Sequence, residues 1–206
     1  MTNKAGRSVQ WESYEERKYD LQWERDPTVT DYCSQPEQFA FFDEEGKKHT
    51  YVPDYIVWRS DGSVEIHEIS RSERQDKLSM RRRKQAAEAI CAERKWSYIL
   101  HTEQEAPYPT ELANLEALYA YRLRAYAQPP IIAAIQEYLA QHADIPLHSC
   151  LQHVAQYLEK PAPTVFQTLC HLLWLGSLDT DLRTLLFIDG TFNPKALVWL
   201  PKKGEQ

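Results

Sequence analysis

A run of short extended segments between residues 39 and 101, broken once by a long stretch free of Gly and Pro, most restricts how this chain can fold. Phe39, Phe41 and Phe42 open an extended segment that ends at Glu44-Glu45-Gly46-Lys47, a hairpin-turn composition. His49 to Trp58 reads as the returning strand and Arg59-Ser60-Asp61-Gly62 as a second turn. Ser63 to Ile69 is a third strand, with Val64, Ile66 and Glu68 at alternating positions. Residues 73–94 are polar and Ala-rich and predict one long helix, after which Trp96 to His101 is a fourth strand. Meandering strands, then a helix, then a strand able to pair in parallel predict an α/β fold, a mixed sheet flanked by helices. Upstream, Trp11 to Trp23 has helical spacing. Downstream, Asn114 to Tyr126 places Leu115, Leu118, Tyr119 and Leu123 on one helix face.

The composition shifts near Ala127. Residues 1–127 hold 19 Lys and Arg against 23 Asp and Glu, whereas residues 128–206 hold 5 against 7. Gln128-Pro129-Pro130 punctuates the join, so domains of residues 1–127 and 128–206 are expected. The second reads as three helices, Ile131–Gln141, Leu147–Leu158 and Pro163–Leu175, with Gly176 as a stop. A hairpin from Leu185–Ile188 through Asp189-Gly190 to Ala196–Leu200 follows. That order predicts a winged helix-turn-helix. Its third helix lacks Arg and Lys over Thr164 to Leu172, which argues for a protein contact rather than DNA readout.

With 43% hydrophobic residues, 12 Pro and 6 Gly, the chain is neither collagen-like nor of disordered composition. No apolar run approaches the roughly 20 residues that span a bilayer. The first 20 residues have no apolar signal core, so a cytoplasmic protein is expected. Cys33, Cys91, Cys150 and Cys170 lack zinc-ribbon spacing and read as free thiols, and His148 and His153 read as structural. The net charge of −6 argues against bulk electrostatic binding of nucleic acid only if the charge is evenly spread. It is not. Arg71, Arg74, Lys77, Arg81, Arg82, Arg83 and Lys84 face only Glu73 and Asp76 within residues 71–84. Four consecutive cations cover more than one helical turn and outnumber their acidic partners, which points to phosphate contact.

The chemistry-bearing pattern is Pro53-Asp54 on the second strand and Glu68-Ile69-Ser70 on the third. Antiparallel pairing brings both carboxylates to one sheet edge. Two converging carboxylates make a hard-oxygen site for Mg²⁺ or Mn²⁺, which activates water and stabilises charge on a phosphodiester. Glu12, Glu15 or Glu16 on the first helix could supply a third ligand.

In order along the chain stand Glu12-Ser13-Tyr14-Glu15-Glu16, Gln35-Pro36, Tyr51-Val52-Pro53-Asp54-Tyr55, Glu68-Ile69-Ser70, the helix with Arg81 to Ala89, and Asn114 to Leu118. Through them residues 11–126 resemble the PD-(D/E)xK nuclease fold, specifically the TnsA-like endonuclease subunit of heteromeric transposases. Leu172 to Leu178 with Asp181 resembles that family's C-terminal winged-helix region. The resemblance implies a restriction-endonuclease-like sheet and a metal-dependent endonuclease cutting the 5′ strands at transposon ends. It implies Glu16, Asp54 and Glu68 as ligands of Mg²⁺ or Mn²⁺ and double-stranded DNA as substrate. It also implies a DDE-type transposase subunit and an AAA+ regulator as partners, in the bacterial cytoplasm at the nucleoid.

Ser70 departs from the pattern by standing where the family has lysine. A serine hydroxyl carries no charge and cannot offset a phosphate. Either the cation has moved to Lys77, Lys84 or Arg71, or the domain keeps its fold without cutting and serves as a DNA-binding assembly factor. The three acidic positions favour activity.

Overall fold

The computed structural model describes residue 4 and residues 14–42, 45–70, 78–102 and 108–201. The elements run α1 (Tyr14–Arg25), β1 (Val29–Ser34), β2 (Phe39–Phe42), β3 (Lys48–Tyr51), β4 (Tyr55–Arg59), β5 (Val64–Ile69), α2 (Leu78–Arg94) and β6 (Ser97–His101). Then follow α3 (Pro109–Tyr119), a 3-10 turn (Arg124–Tyr126), α4 (Pro129–Gln141), β7 (Ile145–Pro146), α5 (Leu147–Tyr157), α6 (Ala162–Trp174), β8 (Phe187–Ile188), β9 (Thr191–Phe192) and β10 (Leu197–Val198). They form two compact units, residues 1–106 and 107–206.

The first unit holds a four-stranded sheet in the order β1-β4-β5-β6. Strands β1, β4 and β5 pair antiparallel, and β6 joins β5 in parallel after the α2 crossover, so the sheet is mixed. One expectation is corrected. His49 to Trp58 is two strands, because Pro53 offers no N–H to a ladder and biases the residue before it. Strand β3 therefore leaves with β2 as a separate ribbon, while β4 takes β1 as its partner. The β-branched and aromatic content of Thr28-Val29-Thr30-Asp31-Tyr32 carries the signal for that edge strand.

Side-chain alternation gives the sheet two apolar faces. Val29, Tyr32, Tyr55 and Val57 pack with Tyr19 and Trp23 of α1. Ile56 and Ile66 pack with Phe39 and Tyr51 of the ribbon and with Ala87 and Cys91 of α2. Each fully buried large apolar side chain contributes about 1.5–3 kcal/mol. The β4–β5 hairpin is set by its turn. Gly62 adopts a φ of +85°, which a Cβ would strain, and its amide donates to the Arg59 carbonyl at 3.0 Å. The Asp61 carboxylate accepts the Ser63 amide at 2.9 Å.

In the second unit, α6 buries most of its surface, from Val165 through Trp174. The helix expected over Asn114 to Tyr126 instead runs from Pro109 to Tyr119, its proline in the first turn where a missing N–H is tolerated. Asn114 anchors it: its amide nitrogen donates to the Leu182 and Thr184 carbonyls at 2.9 and 2.8 Å, and its oxygen accepts the Leu186 amide at 2.9 Å. Thr168 and His171 of α6 donate to the Tyr126 and Tyr121 carbonyls. Packing thus joins residues 108–126 to the second unit, although their composition resembles that of the first. The expected late hairpin is also corrected. Asp189 and Gly190 both take positive φ and join β8 to β9 in a tight turn, whereas β10 pairs with β7. The four cysteines are free, three of them buried. Among the described residues no helix is long and apolar enough to cross a membrane.

Candidate active site

Strand β4 pairs with β5 from Tyr55 opposite His67 to Trp58 opposite Val64. Asp54 directly precedes β4, at the end where β5 carries Glu68. The Asp54 carboxylate accepts the Ile69 amide at 2.6 Å, tying the two strand ends together. The Asp54 carbonyl accepts the Gln35 amide at 2.7 Å, fixing the same corner to the end of β1. Glu68 is 7% exposed, and Tyr98 Oη donates to its Oε2 at 3.2 Å. Burial pushes the Glu68 carboxyl above its ordinary range, and the Tyr98 hydrogen bond and Arg83 charge partly offset this. Ser70 directly follows the end of β5, its amide donating to the His101 carbonyl at 3.0 Å.

The other expected residues lie as follows. Glu16 is half-buried on α1, and its charge acts on Asp20 and Tyr55. With Glu24 these carboxylates recur every fourth residue along one helix face. Asp20 carries the largest consequence: burial, reinforced by Glu16 and Glu24, pushes its carboxyl up to about 7 against partial relief from Tyr55. Neither Asp20 Oδ1 nor Tyr55 Oη completes a hydrogen bond of ordinary geometry. On α2, Arg81, Arg83 and Lys84 are exposed and Arg82 is half-buried. Lys84 Nζ lies 3.8 Å from Glu88 Oε1, one turn on. Arg83 extends over the Tyr51 ring, with Cζ 6.0 Å from its centroid, and is the helix cation whose charge bears on Glu68. Arg71, Arg74, Lys77, Glu12 and the Glu15 side chain lie outside the described residues.

Strand alternation explains this division. Glu68 shares the α2 face with Ile66, whereas His67 shares the α1 face with Tyr55. Asp54 and Glu68 are brought together, and the α1 carboxylates gather around Asp20. Among the described residues no three His, Cys, Asp or Glu side chains group closely enough to hold a metal ion. Asp54 and Glu68 supply oxygen donors of the type that Mg²⁺ takes from one or two carboxylates together with water and phosphate oxygens.

Sequence reasoning missed a second polar array directly behind Glu68. His67, 2% exposed, donates from Nε2 to Glu65 Oε2 at 3.0 Å, and Glu65 Oε1 meets Arg59 Nε at 2.8 Å. Arg59 continues to Asp26 Oδ2 at 3.0 Å and Thr28 Oγ1 at 2.6 Å. Burial first, then His101, pushes the His67 pKa down to about 4 despite Glu65. Neutral His67 therefore accepts at Nδ1 from His101 Nε2, 2.7 Å away. Trp23 and Tyr19 cap the two imidazoles. Each strand residue of this array was visible, but only the register places them in line.

No curated protein matches the chain. The family model described as TnsA-like endonuclease N terminal matches residues 26–103, a span that contains Asp54, Glu68, Ser70 and the basic helix and begins after α1. Residues 26–103 are thus similar to the TnsA-like endonuclease N-terminal domain.

Proposed function

We propose that this protein is the metal-dependent DNA endonuclease subunit of a heteromeric transposase, nicking the 5′ strands at transposon ends. The observation that carries this reading is the Asp54–Glu68 juxtaposition beside Arg83, within the segment that matches the endonuclease family. Asp54 and Glu68 hold Mg²⁺ or Mn²⁺, and the α1 carboxylates, Glu16 among them, form an acidic stripe of their own. The bound ion supplies water activation and neutralises charge on the phosphate. Ile69 N–H and Tyr98 Oη keep the two carboxylates oriented. Arg81 to Lys84 hold the phosphate backbone, with Arg71, Arg74 and Lys77 extending the contact. Arg83, in place of a strand lysine at position 70, supplies a helix cation whose charge bears on Glu68.

Helices α4 to α6 with the β8–β9 hairpin are read as a winged-helix module. Its third helix, α6, has no Lys or Arg, which suits contact with the DDE-type transposase subunit and the AAA+ regulator better than contact with DNA. The protein acts in the cytoplasm, at the nucleoid.

Ser70 favours a second reading, a degenerate nuclease domain that binds DNA ends and assembles the transposase without cutting. Asp54→Asn keeps the acceptor for Ile69 but removes the charge. In a reconstituted reaction it lowers 5′ nicking by at least about 100-fold. Wild-type protein that binds ends but never nicks with Mg²⁺ or Mn²⁺ establishes the assembly reading, and unchanged nicking by Asp54→Asn sinks the first.

A further inference from the structure

Two phenols stand beside the Asp54–Glu68 pair, and they differ in one respect. Tyr98 Oη is engaged on Glu68. Tyr51 is 6% exposed, and among the described residues its Oη has no hydrogen-bond partner. Tyr51 closes β3, three residues before Asp54, and packs against Ile56 and Ile66 on the same sheet face as Glu68. Burial first, then the Glu68 charge, with Asp54 a smaller contributor, pushes its phenol above the ordinary range. A phenol is protonated at neutral pH in any case, so the oxygen is a hydrogen-bond donor.

A buried donor without a partner costs about 1–3 kcal/mol, and such groups call for a reason. The two carboxylates whose charge reaches Tyr51 take their donors elsewhere: Glu68 Oε2 accepts from Tyr98 and Asp54 Oδ2 from the Ile69 amide. Above the ring lies the guanidinium of Arg83, on an exposed side chain with several free torsions. It is a movable cover and an anion-seeking one.

We propose that the Tyr51 hydroxyl and the Arg83 guanidinium form the pocket for a non-bridging oxygen of the scissile phosphodiester. Arg83 brings the charge that Ser70 lacks, and Tyr51 brings a fixed direction. The pocket rests on the endonuclease reading above and adds a residue to its site.

The test uses the full chain, a fluorescein-labelled duplex of about 20 base pairs and Ca²⁺, with affinity read by anisotropy across a salt series. Tyr51→Phe removes one hydroxyl and no charge. It weakens binding about tenfold, the value of a hydrogen bond to a charged acceptor, and leaves the salt slope unchanged. Thermal unfolding of the same variant is unchanged or shifted up by a few degrees, because an unsatisfied buried group has gone. A purely structural tyrosine gives the opposite pair of results. Arg83→Gln weakens binding and lowers the salt slope by about one. The double variant falls short of the sum of the two losses, because both groups hold one oxygen. Wild-type affinity in Tyr51→Phe, or additive losses, overturns the pocket while leaving the endonuclease reading intact. Wild-type affinity in Arg83→Gln also overturns it. Nicking that survives Asp54→Asn removes the endonuclease reading instead.

Discussion

His67 and Glu68 are consecutive residues of one strand, and their surroundings are opposite in kind. His67 faces α1 and belongs to a closed line of partners running through Glu65 and Arg59 to Asp26 on one side and to His101 on the other. Burial would raise the Glu65 and Asp26 carboxyls, but their partners outweigh it and hold both below the ordinary range. Glu68 faces α2, keeps one hydroxyl donor, and has its carboxyl raised by burial. The Tyr51 hydroxyl beside it has no hydrogen-bond partner among the described residues. Fully matched polar groups rigidify a fold, whereas unmatched buried ones mark where the protein meets something else. The difference sets the linked His67 array apart from Glu68 within a single strand, although the α1 face also holds the unmatched Asp20 Oδ1 and Tyr55 Oη.

The comparison breaks most readily at Glu65. Glu65→Ala leaves Arg59 and His67 without their shared acceptor and lowers unfolding free energy by about 3 kcal/mol in urea melts. A loss under about 1 kcal/mol means that the array is not scaffold. Asp20 gives the next largest effect, with a pH signature. Its carboxyl lies at about 7 in the folded protein against 3.8 ordinarily, so the folded state binds the proton more tightly than the unfolded chain does. Stability from this group is complete below about pH 4, declines as pH rises toward 7, and levels off above that. Asp20→Asn removes the decline, leaving the variant more stable than wild type by about 2 kcal/mol at pH 8 and near parity at pH 4. An equal difference at both values refutes the assignment. Glu68→Gln retains an acceptor for Tyr98 and discards a poorly compensated charge. It gains about 1 kcal/mol at pH 8, and a loss of that size moves Glu68 into the scaffold class. Lys84→Gln sets the floor: its exposed pair with Glu88 contributes under about 0.5 kcal/mol to thermal stability.

Much of the sheet was legible because strand and helix periods are local properties. Val64 to Ile69, the Asp61-Gly62 turn and the Gly-free and Pro-free helix carry their structure in neighbouring residues. The edge strand at Val29–Ser34 was harder to read, since its short run of alternating residues gains meaning only from pairing with β4. Likewise, Ala196 to Leu200 has strand character, but nothing local says that it pairs with Ile145 and Pro146 rather than with the hairpin before it. At the site, Asp54, Glu68 and the basic helix stood out by residue type and spacing. Tyr51, Tyr98, Asp20 and the His67 array did not, because aromatic and strand positions of this kind usually read as core.

By itself, then, the sequence determined the order of elements, the turn chemistry, the acidic pair and the concentration of cations in one helix. These depend on side chains within a few residues of one another. Only the tertiary structure decided which faces those groups share. It tied Asp54 to the Glu68 end of β5, set Glu16 and Glu24 beside Asp20, brought the Arg83 charge to bear on Glu68 while Lys84 met Glu88, and left the Tyr51 hydroxyl without a hydrogen-bond partner among the described residues. The reason is geometric: strand register and alternation fix contacts across the sheet, and a change of one residue moves a side chain to the opposite face.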